Sequence, residues 1–187
     1  MIIPESFMIE TGRLHLRFPS MDEIPVTFSA TRYKGFNDGM LWEPPRSVDE
    51  LIIPLQNNVN AWRQGSAFTF SIIKKADGSF IGRIAIRREP EPAEWNLGFW
   101  MHPEHQNKGY MSEAAAGIIR FGFENLSAEK IFADHAVWNK SSAVVLKKCG
   151  MVFSKYIENG FMKNGAWVSE NRLKICKQAW LQQNALA

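Results

Sequence analysis

Leu97-Gly-Phe-Trp-Met-His-Pro-Glu-His-Gln-Asn-Lys-Gly-Tyr-Met-Ser-Glu-Ala114 is the stretch that decides how the 187 residues of this chain fold. Apolar residues dominate up to Met101, a polar run containing Pro103 and Gly109 follows, and an Ala-rich segment begins near Ser112. That order reads as a strand, a loop and a helix. In physical terms the loop–helix junction is an anion site. Backbone N–H groups from Asn107 to Met111 lack intrahelical partners and point past the helix N-terminus. Gly109 permits close backbone approach and an unusual φ, and Lys108 adds positive charge. Spacing alone fits a capped surface helix equally well, and neither GxxxxGK[ST] nor GxGxxG occurs in the chain.

Towards the N-terminus, Leu14, Leu16 and Phe18 alternate with His15 and Arg17, the period of a strand. A weakly periodic helix is expected over 22–30, followed by a loop over 34–46 that carries Phe36 and Trp42. Ser47-Val-Asp-Glu50 has the form of a capping box and opens a helix that Gly65 ends, with Pro54 an objection to a straight one. Strands over 68–73 and 80–88 form a hairpin across Asp77-Gly78. Beyond the strand over 95–101 and the helix over 112–125 come a strand over 131–137, a short helix over 141–149 stopped by Gly150, and strands over 152–157 and 168–175. The order predicts an α+β fold, with one mainly antiparallel sheet and helices on its faces. No repeat, low-complexity tract or linker breaks the chain, so residues 1–187 read as one domain.

Composition removes several function classes. Hydrophobic residues make up 45% and charged residues 22%, enough for a packed core. No apolar run approaches the roughly 20 residues that cross a bilayer, and the N-terminus, with Pro4, Glu5 and Glu10, lacks the basic start of a signal peptide. Cys149 and Cys176 are lone thiols without a CxxC partner, which suits a reducing, cytoplasmic setting and argues against a disulfide or metal knuckle. The net charge of +3 is spread over scattered Lys and Arg residues, not a nucleic-acid-binding stripe. His102 and His105 flank Pro103 without helical spacing or a third ligand, so they read as surface loop histidines and no metal is expected. His135, on an apolar strand, reads as a core histidine.

Gln106-x-x-Gly109-x-Met111 resembles the [QR]-x-x-G-x-[GA] acyl-CoA pyrophosphate loop of the GNAT superfamily of N-acetyltransferases. The wider text, from Leu97-Gly-Phe-Trp100 through Gly109-Tyr110 to Glu113-Ala114, is similar to the branch that acetylates ribosomal-protein N-termini, the RimJ and RimL type. Glu10-Thr-Gly-Arg-Leu-His-Leu-Arg17 resembles that branch's opening strand. Asn139-Lys-Ser-Ser-Ala-Val-Val-Leu-Lys-Lys-Cys-Gly-Met151 resembles its second cofactor motif, and the ending near Trp180 also fits. Met111 departs from the usual Gly or Ala, at a position where only the backbone N–H is needed.

The resemblance implies a splayed strand pair, helices on both faces of the sheet, and direct transfer of an acetyl group from acetyl-CoA to a primary amine, with coenzyme A as product. Gln106, Asn107, Lys108, Gly109, Tyr110 and Met111 would hold the pyrophosphate, and the backbone of Phe99, Trp100 and Met101 would pair with the pantetheine arm. Asn139 would meet that arm or the amine, and Ser142 would protonate the leaving thiolate; both also fit as caps of the helix that follows. Asn96 stands where related enzymes often carry a Glu, which leaves Glu94, two residues earlier on the same strand face, as either a proton acceptor or a solvated carboxylate. Cys149 reads as a packed hydrophobe and not a nucleophile. Trp42 and Trp100 are expected to line the acceptor pocket.

The expected acceptor is a protein N-terminus or a small amine such as a polyamine, an aminoglycoside or an amino-acid analogue. A non-catalytic acyl-CoA-binding module is the alternative, supported by Asn96 and Met111. Strand edges and exposed aromatics fit a monomer or a homodimer.

Overall fold

The computed structural model describes residues 2–185. Its elements are β1 (Met8–Glu10), β2 (Leu14–Arg17), α1 (Ile24–Ala30), α2 (Ile52–Gln64), β3 (Ala67–Lys74), β4 (Phe80–Arg88), β5 (Glu94–Met101), α3 (Tyr110–Asn125), β6 (Lys130–Ala136), α4 (Lys140–Lys148), β7 (Val152–Lys163), β8 (Ala166–Cys176) and α5 (Lys177–Ala185). The strands form one sheet in the order β1-β2-β3-β4-β5-β6-β8-β7. Every neighbouring pair is antiparallel except β5 and β6.

Strand alternation gives the sheet two unlike faces. One carries Leu16, Phe70, Ile84, Ile86, Leu97 and Ile131 and is covered by α3. The α3 glycines bring that helix close. A Cβ at Gly117 would lie 3.5 Å from both Ile9 and Leu16, and one at Gly122 would lie 2.7 Å from Ile131. Trp180 of α5 meets Phe123 of α3 at 5.2 Å. The other face is polar, with Arg17, Ser71, Arg83, Arg87, Asn96, Asp134 and Arg172. There the buried Glu23, just before α1, takes the Ser71 hydroxyl, Arg17 at 3.0 Å and Arg83 at 3.3 Å. A buried carboxylate held by two guanidinium groups needs such satisfaction, and it ties α1 across the sheet.

The expected α+β architecture, the helices on both faces and the element order are all present. Three local expectations are not. The Ser47 capping box does not form. Glu50 accepts instead from the Arg46 N–H at 2.9 Å, and the chain passes through a 3-10 turn, Asp49–Leu51, before α2. Pro54 then falls in the first turn of α2, where its missing N–H costs no hydrogen bond. β1 and α5 were not foreseen: one is three residues long, and the other has no apolar stripe to mark it. β7 runs to Lys163, past the polar Glu158-Asn-Gly160, because a register shift between Ile157 and Phe161 absorbs that segment. The hairpin turn at Gly78 (φ 70°) and the left-handed stop at Gly65 (φ 69°) are as the sequence indicates.

Candidate active site

β5 and β6 pair only from Glu94 with Lys130 to Leu97 with Ala133. Beyond Leu97 the strands diverge, and Gly98–Met101 keeps β4 on one side with no partner on the other. A parallel pair that opens this way leaves a row of backbone donors and acceptors along a gap, an edge to which an extended amide-bearing ligand can pair. Below the fork the strands are clasped. Asn96 Nδ2 donates to Asp134 Oδ2 at 3.0 Å, and Arg172 donates to both Asp134 oxygens at 2.8 Å. Asn96 is therefore a clasp residue at the base of the split.

The loop after β5 turns into α3 at the mouth of the gap. Gln106 Nε2 donates to the Met101 carbonyl at 3.0 Å, fastening the loop to the strand end. Asn107 (φ 60°) and Gly109 (φ 80°) are both left-handed. Among the described residues, the N–H groups of Asn107 through Ser112 donate to no protein acceptor, and Glu113 is the first residue to bond back, to the Gly109 carbonyl at 3.1 Å. Six donors without a protein partner thus lie at the positive end of a 16-residue helix. Met111, the unusual motif residue, buries its side chain in the core and presents only its backbone.

Arg13, at the start of β2, braces this loop. Its backbone N–H and Nε donate to Glu113 at 2.7 Å, its Nη1 donates to the Lys108 carbonyl at 3.0 Å, and its guanidinium lies 4.5 Å from the Tyr110 ring centre. Burial pushes the Glu113 carboxyl up, but hydrogen bonds from Thr11 and Arg13 outweigh it and hold the group below the ordinary range. Lys108, expected to face the anion, turns its ammonium back to the Glu104 carbonyl at 2.8 Å.

A cleft of about 1530 Å³ runs from this loop along the fork and over the polar face. That is larger than the ~300–1,000 Å³ of a single small-ligand site and fits two substrates. Trp100, Phe36 and Trp42 form an edge-to-face wall, with centroids 5.7 and 6.3 Å apart in sequence along it. The segment 34–46 is pinned to β7 through Lys163, which donates to the Trp42 carbonyl at 3.0 Å and pairs with Glu43.

Asn139 and Ser142 line the cleft at the start of α4. Asn139 caps the helix, its Oδ1 accepting from the Ser142 N–H at 3.1 Å, while the Ser142 hydroxyl has no partner among the described residues. Glu94 is not brought to the site. It begins β5, pairs with Lys130 at 2.8 Å, and lies below the clasp and outside the cleft lining. The period of two places it on the right face but at the wrong end of the strand. Glu170 of β8, which sequence reading missed, does line the cleft, and burial, then the nearby Asp134, raises its carboxyl above the usual range. A Cβ at Gly160 would strike the Glu170 side chain, so the bare glycine makes its room.

His102 is buried and not a surface residue. Its Nε2 lies 3.1 Å from Ser29 Oγ, and its Nδ1 accepts from the Glu104 N–H. His135 is buried, with Nδ1 2.8 Å from the Ala136 carbonyl. Cys149 is half-buried, and burial pushes its thiol up to about 11, which leaves little nucleophilic thiolate.

Comparison with known proteins agrees with this geometry. The model of the acetyltransferase (GNAT) domain matches residues 13–152. The N-acetyltransferase YnaD of Bacillus subtilis is 30% identical over 122 residues, 65% of this chain and 72% of that protein. The spermidine N(1)-acetyltransferase of Vibrio cholerae is 26% identical over 145 residues, 76% of this chain and 80% of that protein. Among solved structures, Mycobacterium smegmatis RimJ in complex with a CoA-disulfide superposes with a TM-score of 0.80 at 19% identity, covering 97% of this chain and 95% of that one. No helix among the described residues is long and apolar enough to cross a membrane. The braced loop, the forked strands and these matches lead to one conclusion: the chain belongs to the GNAT acetyltransferase family and is an acetyl-CoA-dependent N-acetyltransferase.

Proposed function

We propose that this protein acetylates a primary amine by direct transfer within a ternary complex, and that the fork between β5 and β6 is where the two substrates meet. The observation that carries this reading is the row of free N–H groups from Asn107 to Ser112, together with the edge of Phe99–Met101 that β6 does not cover. The first set holds a pyrophosphate, and the second pairs with the amides of a pantetheine arm running into the fork. Acetyl-CoA supplies an activated thioester at the apex, next to Gly98.

The chain's own groups then do three things. A backbone N–H on the open edge of β5 donates to the carbonyl oxygen as negative charge gathers there. Glu170, kept basic by its surroundings, takes a proton from the acceptor ammonium, directly or through water. Ser142 donates its hydroxyl proton to the sulfur as the carbon–sulfur bond breaks and the carbon–nitrogen bond forms, and the second proton shed by the amine nitrogen restores the hydroxyl through water, while Asn139 fixes the helix end that presents it. Asn139 acts here as a positioning residue. The aromatic wall of Trp42 and Trp100 excludes water and bounds the acceptor.

A protein N-terminus or a small amine is the acceptor. The open cleft of about 1530 Å³ supports either. One continuous sheet from β1 to β7 supports a single catalytic domain, and two unpaired cysteines support a cytoplasmic setting. Exposed Phe153, Tyr156 and Trp167 on the β7–β8 edge are apolar surface that a second copy would cover if the enzyme dimerises.

Initial-rate kinetics with both substrates varied test the mechanism. Intersecting double-reciprocal lines and CoA release that requires acceptor are expected. Parallel lines, or an acetylated enzyme isolated without acceptor, would contradict direct transfer. Binding of acetyl-CoA with no acceptor-dependent release from a broad amine panel would favour the non-catalytic module.

A further inference from the structure

Three arginines face the cleft from the polar side of the sheet: Arg83, Arg87 and Arg172. Two are satisfied. Arg83 pairs with the buried Glu23, and Arg172 with Asp134 and, at 3.4 Å, Glu89. Arg87 makes no hydrogen bond or ion pair among the described residues. It stands opposite Asn96 in the β4–β5 register, and its guanidinium is turned over Gly98, where a Cβ would lie 2.7 Å from Nη1.

That position is the apex of the fork, one residue beyond the last β5–β6 pair at Leu97 and Ala133. The phosphate-binding donors are at the other end of the gap. Phe99–Met101 and residues 102–106 lie between Gly98 and the first of those donors, so the anion assigned to Arg87 is distinct from the cofactor's pyrophosphate. A guanidinium presents a fixed fork of donors matched to a carboxylate or phosphate. Beside the transfer point, such a group would meet whatever lies next to the acceptor nitrogen. The same charge repels the further ammonium groups of a polyamine.

We infer that Arg87 receives an anionic group of the acceptor, so that the preferred substrate is a primary amine carrying a carboxylate or phosphate close to its nitrogen. This rests on the direct-transfer reading above, which places the thioester at the apex. Gly98 is part of the device: any side chain there would push the guanidinium away. The amine nitrogen then sits between the anion held by Arg87 and the open edge of β5, and the acid group orients it for attack.

The test uses matched acceptors with purified full-length protein and acetyl-CoA: alanine against alaninamide, O-phosphoethanolamine against ethanolamine, and Ser-Asp-Ala-amide against Ser-Asn-Ala-amide, with spermidine as the polycation. The third pair separates an acidic peptide from a small acidic amine. At least one acidic member is expected to show the higher kcat/KM. Arg87→Gln should lower the acid-to-neutral ratio about ten- to a hundredfold, and Arg87→Lys, with charge but no fork, should fall between. Comparing ratios between variants cancels differences in amine basicity. Arg88→Gln, on the opposite face of the same strand, should leave the ratio unchanged. The acetyl-CoA-induced shift in melting temperature reports folding and cofactor binding of each variant. Neutral amines or spermidine preferred by the wild type, or a ratio that Arg87→Gln leaves alone, would overturn the inference while the acetyltransferase reading stands. Failure of every amine to release CoA would overturn both.

Discussion

Arg13 and Glu113 are 100 residues apart in sequence, yet their side chains meet at 2.7 Å and lock the start of α3 to the start of β2. Glu113 also accepts from the Arg13 N–H and the Thr11 hydroxyl, so three donors converge on one carboxylate at the first turn of α3. The loop is held from β2, with Arg13 reaching on to the Lys108 carbonyl.

Removing this brace should weaken the cofactor site more than the fold. Arg13→Ala is expected to raise the acetyl-CoA dissociation constant about tenfold, with a stability loss of no more than about 1 kcal/mol because the pair is half exposed. Calorimetric titration and thermal melting read the two separately. Glu113→Ala strands several donors and should cost about 1–3 kcal/mol. Because its folded pKa is depressed, Glu113 contributes stability above the unfolded value of roughly 4.3, and that contribution is lost as pH falls through the folded value. The melting difference between wild type and Glu113→Ala should close in acid.

Gly109→Ala tests the shape of the loop. At φ 80° a side chain costs about 1 kcal/mol, and the new Cβ would stand 3.3 Å from Arg13 Nη2. We expect a modest fall in melting temperature and a larger loss of acetyl-CoA affinity. Unchanged affinity would show that the N–H row is not the phosphate site.

Ser142 and Cys149 separate two chemistries on one helix. Ser142→Ala should lower kcat about 10- to 100-fold with acetyl-CoA affinity unchanged. The loss should shrink when a better leaving thiol replaces coenzyme A. Cys149→Ala should keep its activity, because the thiol is pushed to about 11 and donates towards the Ser112 carbonyl at 3.5 Å. Loss of turnover in Cys149→Ala with an intact fold would revive a covalent route.

Glu170 gives a pH signature with a definite sign. Its folded pKa is raised, so its proton-linked stability is present below the unfolded value and is lost as pH rises through the folded one. Glu170→Gln should therefore melt higher than wild type at neutral pH, with the advantage gone in acid. In kcat/KM the same substitution should abolish the acidic limb of the profile and slow turnover. A limb that survives in Glu170→Gln would assign the base elsewhere.

Local signals made most of this fold legible. Gly65, Gly78 and Gly109 punctuate the chain where left-handed backbone is needed, and alternating apolar residues mark the strands. The loop before α3 is a local motif, so the partnerless N–H groups from Asn107 to Met111 were readable. The clasp, the brace and the charged groups of the cleft were not. Arg87 faces Gly98 across β4 and β5, and Glu170 owes its room to Gly160 on another strand. Such pairings follow from register, which the sequence does not print. Glu94 shows the same limit from the other side. Its parity on β5 was right, but its distance from the fork depends on where β6 stops pairing, at Ala133.

The most direct test of the central claim is the melting temperature of the full chain with acetyl-CoA, set beside NAD and ATP as polyanion controls. At about 100 times its dissociation constant a ligand stabilises a fold by about 2.7 kcal/mol. The forked site predicts a shift of several degrees with acetyl-CoA that the controls do not match and that Arg13→Ala reduces. No shift, or an equal shift with all three, would contradict the assignment of the fork and the loop before α3 as the acetyl-CoA site.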